Sequence, residues 1–297
     1  MSENDSLKAA VKFHELPEFP NGKALLLKAA TTSSKKAKPD TEAVRLGARV
    51  RKVFIDREWV RAYNAVCGFE DDFIALTAPQ VIASPLHMYL MSRPEHPFAM
   101  LGMVHLHNHI ELLKPLDYGV PYDVVVRIGD TRAISLGLEF DVHTEFLVGD
   151  EVHWRGTMSI LSRVRGMPKP AVKPASAEAL NAVGATYTAL KVPENQGRKY
   201  AKVSNDYNPI HLYAQTAKMF GFKQAIAHGM WTAAKTLSVV QSAMPAPATR
   251  YALSFKQPVF LPSSVVIKQL VNSDGVARFE VLAERDSKVL MTGDISA

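Results

Sequence analysis

Asp206 and His211 stand five positions apart, with Asn208 and Pro209 between them, in the run Tyr200-Ala-Lys-Val-Ser-Asn-Asp-Tyr-Asn-Pro-Ile-His211. A carboxylate and an imidazole this close can take a proton from water and deliver one elsewhere, the work of a general base and acid. The Asn-Pro step fixes the backbone between them. A residue before proline is held out of the helical region, so Asn208 is expected to be extended. Asn is also a favoured helix cap, and Pro a favoured first helical residue. The spacing therefore predicts a helix that starts at Pro209, carries His211 in its first turn, runs through Leu212, Ala217 and Phe220, and ends at Gly221. The positive end of such a helix disfavours imidazolium, so His211 is expected neutral near pH 7. Asp-x-Asn-Pro is also a common turn and cap, in which Asp206 only accepts bonds from backbone amides. His211 and a second block, Ile226-Ala-His228-Gly229-Met230, weigh for chemistry over that reading. Gly229 opens an apolar helical run, where a free backbone N–H can receive a developing oxyanion.

These two blocks resemble the signature of the MaoC-like, R-specific enoyl-CoA hydratases and dehydratases. That signature is an aromatic residue followed by Ser-Gly-Asp-x-Asn-Pro-[Ile/Leu/Val]-His. Here it reads Tyr200, Ser204, Asn205, Asp206, Asn208, Pro209, Ile210 and His211, and the second block is intact from Ile226 to Met230. Asn205 replaces the family's Gly. If that position needs a left-handed backbone, Asn is the next most tolerant residue. The resemblance implies a hydro-lyase of fatty-acid or related acyl metabolism. It would add water syn to a trans-2-enoyl thioester, giving the 3R-hydroxyacyl thioester, or run the reverse dehydration. Asp206 and His211 would share the water, and the Gly229 N–H would receive the thioester oxygen. Ser204, Asn208 and His228 would bind or shape the loop. The resemblance implies an acyl-CoA or acyl carrier protein thioester as partner, an acyl chain lying between two halves, and no metal or redox cofactor. Two alternatives stay open. A thioesterase on the same fold would aim activated water at the carbonyl carbon, and the Asp-x-Asn-Pro-x-His spacing weighs against it. A non-catalytic acyl-thioester-binding protein has no need of Asp206, His211 and Gly229 together.

The elements that position these residues occur twice. Tyr63-Asn-Ala-Val-Cys-Gly lines up with Tyr200-Ala-Lys-Val-Ser-Asn at an offset of 137, and Ala78-Pro-Gln-Val-Ile-Ala with Ala225-Ile-Ala-His-Gly-Met at 147. The first copy is thus ten residues shorter across the interval that holds Asp206 to His211. Phe69 stands opposite Asp206 and Ile82 opposite Gly229, so the first half is expected to be catalytically silent. Each half reads as a helix followed by strands. Gly229 to Gln241 has apolar residues at helical spacing. Leu253–Val259, Val265–Val271, Ala277–Ala283 and Val289–Ile295 read as strands, with a turn at Ser273–Gly275. The first half repeats the order, with a helix near Pro79–Met91 and strands at Met103–Leu113, Val124–Ile128, Ala133–Thr144 and Val152–Ser162. Periodicity predicts an α+β pattern of helix then antiparallel meander, and the resemblance implies a double hotdog. The predicted domains are an N-terminal extension at 1–45, a silent hotdog at 46–165, a proline-rich linker at 166–186 and the motif-bearing hotdog at 187–297.

With 47% apolar and 22% charged residues, the 297-residue chain has the make-up of a globular protein of about two domains. No apolar run approaches the ~20 residues that span a bilayer, and the N-terminus has no signal-peptide pattern. A lone cysteine, Cys67, allows no internal disulfide and fits a reducing cytoplasm. It aligns with Ser204 and is expected small and buried. Net charge is +6, but lysines and arginines are scattered without a basic stripe, so no nucleic-acid or membrane partner is expected. The tightest cluster, Lys35-Lys36-Ala-Lys38, sits in a Ser/Thr-rich segment expected to be a loop or tail. His105, His107 and His109 alternate along a strand, without the matching Cys or carboxylate set of a metal centre. No Gly-rich nucleotide motif is present. A monomer of two pseudo-dimeric halves, or a homodimer, fits the repeat.

Overall fold

The structure, a computed structural model, describes residues 12–22, 24, 25, 28, 32–42, 44–70, 72–167, 180 and 183–297. Most of the proline-rich stretch expected as a linker lies outside the described residues, as do residues 1–11 of the expected extension. Strands are β1 (Lys12–Leu16), β2 (Leu46–Val53), β3 (Val104–Leu112), β4 (Tyr122–Ile134), β5 (Gly137–Val148), β6 (Glu151–Arg163), β7 (Thr186–Val192), β8 (Arg250–Phe255), β9 (Ser263–Val271), β10 (Val276–Ala283) and β11 (Val289–Ser296). Helices are α1 (Arg57–Cys67), α2 (Ala78–Ile82), α3 (Ser84–Met91), α4 (Gln196–Ser204), α5 (Ala214–Lys218) and α6 (Gly229–Gln241), with a 3-10 turn at Pro209–His211.

The chain forms two compact units that interleave in sequence. One comprises Met1–Ile55, Ile82–Leu106 and Leu113–Pro174, the other Asp56–Val81, His107–Leu112 and Ala175–Ala297. Residues 56–81, which the repeat assigns to the N-terminal half, therefore group with the C-terminal half.

In the first unit β2, β4, β5 and β6 form an antiparallel meander. β1 adds to its edge in parallel, Lys12 opposite Leu46, so part of the expected N-terminal extension belongs to the sheet. Alternation buries Val124 and Val126 on β4, Phe140, Val142 and Phe146 on β5, and Trp154 on β6. Helix α3 covers this face with Leu86 and Leu90. The single strand expected at Ala133–Thr144 is a hairpin, its turn at Ser135–Leu136. Flanking apolar residues hide that turn in the sequence; only Ser135 and Gly137 mark it, and a Cβ on Gly137 would meet the Ser162 carbonyl oxygen at 2.1 Å. Lys35, expected in a free segment, donates to the carbonyls of Arg93 and His96 at 2.7 and 2.5 Å.

In the second unit the antiparallel order is β7-β9-β10-β11-β8, and β8 pairs with β3 from His107 to Glu111. Helix α6 lies on this sheet with Ala233, Ala234, Leu237 and Val240 buried, and the Tyr251 hydroxyl of β8 donates to the Ala233 carbonyl at 2.9 Å. Its bounds match the sequence reading. Helices α1 and α4 are the two copies of one element, and they pack together. Trp59 Nε1 donates to the Val203 carbonyl at 2.8 Å, and the rings of Tyr63 and Tyr200 lie 6.2 Å apart. Both helices end in the left-handed region, at Gly68 (φ 85°) and Asn205 (φ 55°), at the repeat offset of 137.

Candidate active site

Asn205 turns the chain sharply out of α4. Ser204 Oγ donates to the Tyr200 carbonyl at 3.0 Å and accepts from the Asp206 amide at 3.2 Å, which ties the turn to the helix. Asp206 Oδ1 accepts from the Asn208 amide at 3.1 Å. Asn208 is extended (φ −55°, ψ 124°), as its place before proline requires, and its Oδ1 accepts from the Ile210 amide at 3.4 Å. The turn-and-cap bonding is therefore present, and it orients Asp206 with Oδ2 left for other work.

The helix expected from Pro209 to Phe220 is broken. A 3-10 turn ends at His211, Tyr213 is extended, and α5 starts at Ala214. The carbonyls an α-helix would use are taken elsewhere. Ile210 O accepts from the Ile226 amide at 3.0 Å, Leu212 O from Arg198 Nη1 at 2.8 Å, and the His211 carbonyl presses on Gly197 of α4. A Cβ on Gly197 would lie 1.8 Å from that oxygen.

These contacts bury His211 against the second block. Its Nδ1 lies 2.8 Å from the Ile226 carbonyl, an acceptor only, so Nδ1 carries the proton and donates. In the neutral ring Nε2 then offers its lone pair, and it faces Asp206 Oδ2 at 4.0 Å. His228 Nε2 lies 2.9 Å from the Asp206 carbonyl and donates to it, and is 3.8 Å from Oδ2. The two imidazoles stack, centroids 3.8 Å apart and planes at 27°, and the Tyr200 ring lies 5.0 Å beyond His228. The histidines are buried, while the Asp206 side chain is 43% exposed.

Charge states follow from this layering. Burial pushes the His211 pKa below its usual value against the pull of Asp206 and the Ile226 bond. The ring is neutral near pH 7 as expected, but because it is buried, not because of a helix dipole. Burial, then His211, push His228 down to about 3. Burial raises the Asp206 carboxyl, yet His228, His211 and the Asn208 amide together outweigh it and hold the pKa below its usual value. The site thus pairs a carboxylate with a neutral imidazole.

Gly229 is the first residue of α6, after an extended His228 (φ −63°, ψ 136°) that caps it. Its N–H is among the helix's first amides, which lack intrahelical acceptors. A Cβ there would meet the Phe255 ring at 3.1 Å. The structure therefore brings Asp206, His211 and His228 into one cluster, with Ser204 and Asn208 supporting the loop and Gly229 next to His228. His228, expected only to shape the loop, also stacks on His211 and faces the carboxylate. Gly197, the Ile226 carbonyl and Phe255 were not read from the sequence. Gly197, a glycine inside a helix, was the one visible signal.

Asp206, His211 and His228 are close enough to attract a metal ion, with candidate ligand atoms within 4.8 Å of one another. The rings stack instead of converging, and the His228 nitrogen nearest Oδ2 is spent on a backbone carbonyl. This geometry suits proton transfer better than coordination. Among the described residues no metal-capable cluster contains His105, His107 or His109. Cys67 is buried, which pushes its thiol up to about 12.

The chain matches the family model described as MaoC like domain over residues 177–289. It is 34% identical over 250 residues to 3-hydroxyacyl-thioester dehydratase X of Mycobacterium tuberculosis, covering 82% of this chain and 87% of that one. The crystal structure of HtdX from that organism aligns with a TM-score of 0.70 at 29% identity, over 84% of this chain and 98% of the other. An (R)-specific enoyl-CoA hydratase of Aeromonas caviae is 32% identical over 96 residues, 31% of this chain and 64% of the relative. The α+β architecture is that of the hotdog fold, and the chain belongs to the MaoC-like dehydratase family.

Proposed function

We propose that the chain adds water reversibly to trans-2-enoyl thioesters, giving 3R-hydroxyacyl thioesters, with Asp206 and His211 as the acid/base pair. The observation that carries this reading is the 4.0 Å gap between Asp206 Oδ2 and the unprotonated Nε2 of His211. That gap is too long for a direct hydrogen bond, but one oxygen at about 2.8 Å from each atom reaches both. A water held there gives its oxygen to the β carbon and one proton to the pair, and the pair returns a proton to the α carbon on the same face. The two groups titrate together, so the returning proton belongs to the pair. The thioester oxygen gains charge in the enolate-like transition state, and the Gly229 N–H receives it. His228 is a positioning residue, its Nε2–H donating to the Asp206 carbonyl. Phe69 follows the left-handed end of α1 as Asp206 follows that of α4, so the first copy carries no acid or base at this point. The acyl carrier is coenzyme A or a carrier protein. Among the described residues no helix is long and apolar enough to cross a membrane. We place the protein in the cytoplasm on its single, buried cysteine.

The test is turnover of trans-2-enoyl-CoA with chiral analysis of the product, beside Asp206→Asn and His211→Ala. The 3R alcohol is expected, with kcat lower by roughly 100- to 10,000-fold in both variants and their folds retained by circular dichroism. Release of free thiol would assign a thioesterase. No turnover across short, long and branched enoyl groups, on coenzyme A and on carrier protein, would leave an acyl-binding role.

A further inference from the structure

Strand β3 gives the second unit a polar residue that packing does not require. Asn108 lies opposite Leu253 of β8, on the face from which Tyr251 reaches the Ala233 carbonyl of α6. It is 2% exposed, and its neighbours Ile110 and Leu253 are buried apolar residues. At the repeat offset of 147 its counterpart is Phe255, whose ring lies against Gly229. The second copy thus fills this slot with an aromatic ring and the first with an amide.

That amide is poorly matched. Nδ2 donates to Met230 Sδ at 3.2 Å, a weak acceptor, and Oδ1 meets no donor among the described residues. Exchanging the two atoms sets the carboxamide oxygen on the sulfur, which is no better. An unmatched buried amide weakens a fold, so Leu or Phe here would serve the core better. Gln80 and Gln196 also hold buried amide atoms without partners. What sets Asn108 apart is its place. Met230 follows Gly229 in the first turn of α6, with the two Cα atoms about 3.8 Å apart, and both residues are partly exposed. Asn108 therefore stands beside the turn that offers the Gly229 N–H.

We infer that Asn108 binds the first amide of the pantetheine arm that coenzyme A and carrier proteins share, an inference resting on the thioester reading above. With the thioester oxygen on the Gly229 N–H, that amide lies one sulfur and two carbons beyond the carbonyl, in the neighbourhood of the same helical turn. Its N–H fills Oδ1, and its carbonyl draws Nδ2 from the sulfur, which the unbranched, flexible Met230 side chain permits. Both atoms of the Asn108 amide are then matched at once. These bonds hold substrate and transition state alike, so they act on KM and leave kcat in place.

The test compares two thioesters of one short trans-2-enoyl group. One is the N-acetylcysteamine ester, and the other the S-pentyl ester, of the same length but without the amide. Wild type is expected to favour the amide about tenfold in kcat/KM, through KM. Asn108→Leu, its fold checked by circular dichroism, is expected to lose that preference while keeping its kcat and its turnover of the pentyl ester. Asn108→Ala is expected to do the same, and serves if the Leu variant does not fold. Equal kcat/KM for the two esters in wild type, or one preference shared by wild type and variants, overturns the inference and leaves the hydratase reading standing. So does a fall in kcat common to both esters, which makes Asn108 a structural residue only. Where wild type turns over neither ester, calorimetry with the saturated butyryl esters decides. Binding that needs both the amide and Asn108 keeps this contact and removes the hydratase reading. Binding that is absent, or indifferent to Asn108, removes both.

Discussion

Two backbone carbonyls set the protonation of the imidazoles at the site. Ile226 O binds the Nδ1–H of His211, and Asp206 O binds the Nε2–H of His228, so His211 alone turns a bare Nε2 toward the carboxylate. Two glycines allow that arrangement, and their substitution separates fit from chemistry. Gly197→Ala puts a methyl 1.8 Å from the His211 carbonyl oxygen, and backbone must move. Its expected cost is about 1–3 kcal/mol of stability, together with most of the activity, read from urea midpoints and kcat. Gly229→Ala meets only the Phe255 ring at 3.1 Å, which can give by a few tenths of an ångström. Here stability is expected to hold within about 1 kcal/mol, since Ala favours a helix, while kcat falls about tenfold because the methyl crowds the approach to the N–H. Equal kcat in Gly229→Ala and wild type would remove that amide from the mechanism.

Asn205 ends α4 with φ 55°, where the family signature has glycine. Asn205→Ala is expected to cost about 1 kcal/mol, whereas Asn205→Gly leaves stability within a few tenths, measured as shifts in denaturation midpoint. Equal midpoints for all three would mean that the strain is relieved elsewhere. The turn shows how far local rules reach in this chain. Alternating apolar residues revealed β9, β10 and β11, and apolar residues at helical spacing revealed α6 from Gly229 to Gln241. The extended Asn208 was legible too, since proline acts on its neighbour regardless of context. Where tertiary bonds compete with local ones, the reading failed. The helix expected through Leu212 lost its carbonyl acceptors to Arg198 and the Ile226 amide, partners fourteen and sixteen residues away. The hairpin at Ser135–Leu136 has only Ser135 and Gly137 to announce it, set among apolar residues that read as continuous strand. Helix α1 carries local signals at both ends, an Asp56 cap that accepts from the Glu58 and Trp59 amides and a left-handed Gly68. Within the site, residue types and spacing pointed to Asp206 and His211. The tautomer of His211 depends on a main-chain carbonyl, which no side-chain pattern encodes.

Over the whole molecule, buried histidines link stability to pH. Burial pushes His87, His96 and His228 down to about 3. His87 bonds Thr144 Oγ1 at 2.8 Å, and His96 packs edge-on against the stacked rings of Phe98 and Phe140, at 5.3 and 5.2 Å. Below pH 6.5 the unfolded chain binds protons that these folded histidines refuse, so stability is full above that pH and is lost as pH falls toward 3. Each contributes about 1.4 kcal/mol per pH unit across that window. Urea midpoints are expected to fall steadily from pH 6.5 to 4, and His96→Leu is expected to flatten the slope. A flat profile would mean that protonated imidazoles are accommodated in the fold. The interleaved units also bear on synthesis. Helix α1 buries Val60 and Tyr63 in the unit completed by α4, whose Tyr200 is made 137 residues after Tyr63. At about 5–20 residues per second on the ribosome, that apolar face waits roughly 7 to 27 s for its partner. A nascent chain in that interval presents a sticky helix to chaperones and to its neighbours on the same messenger.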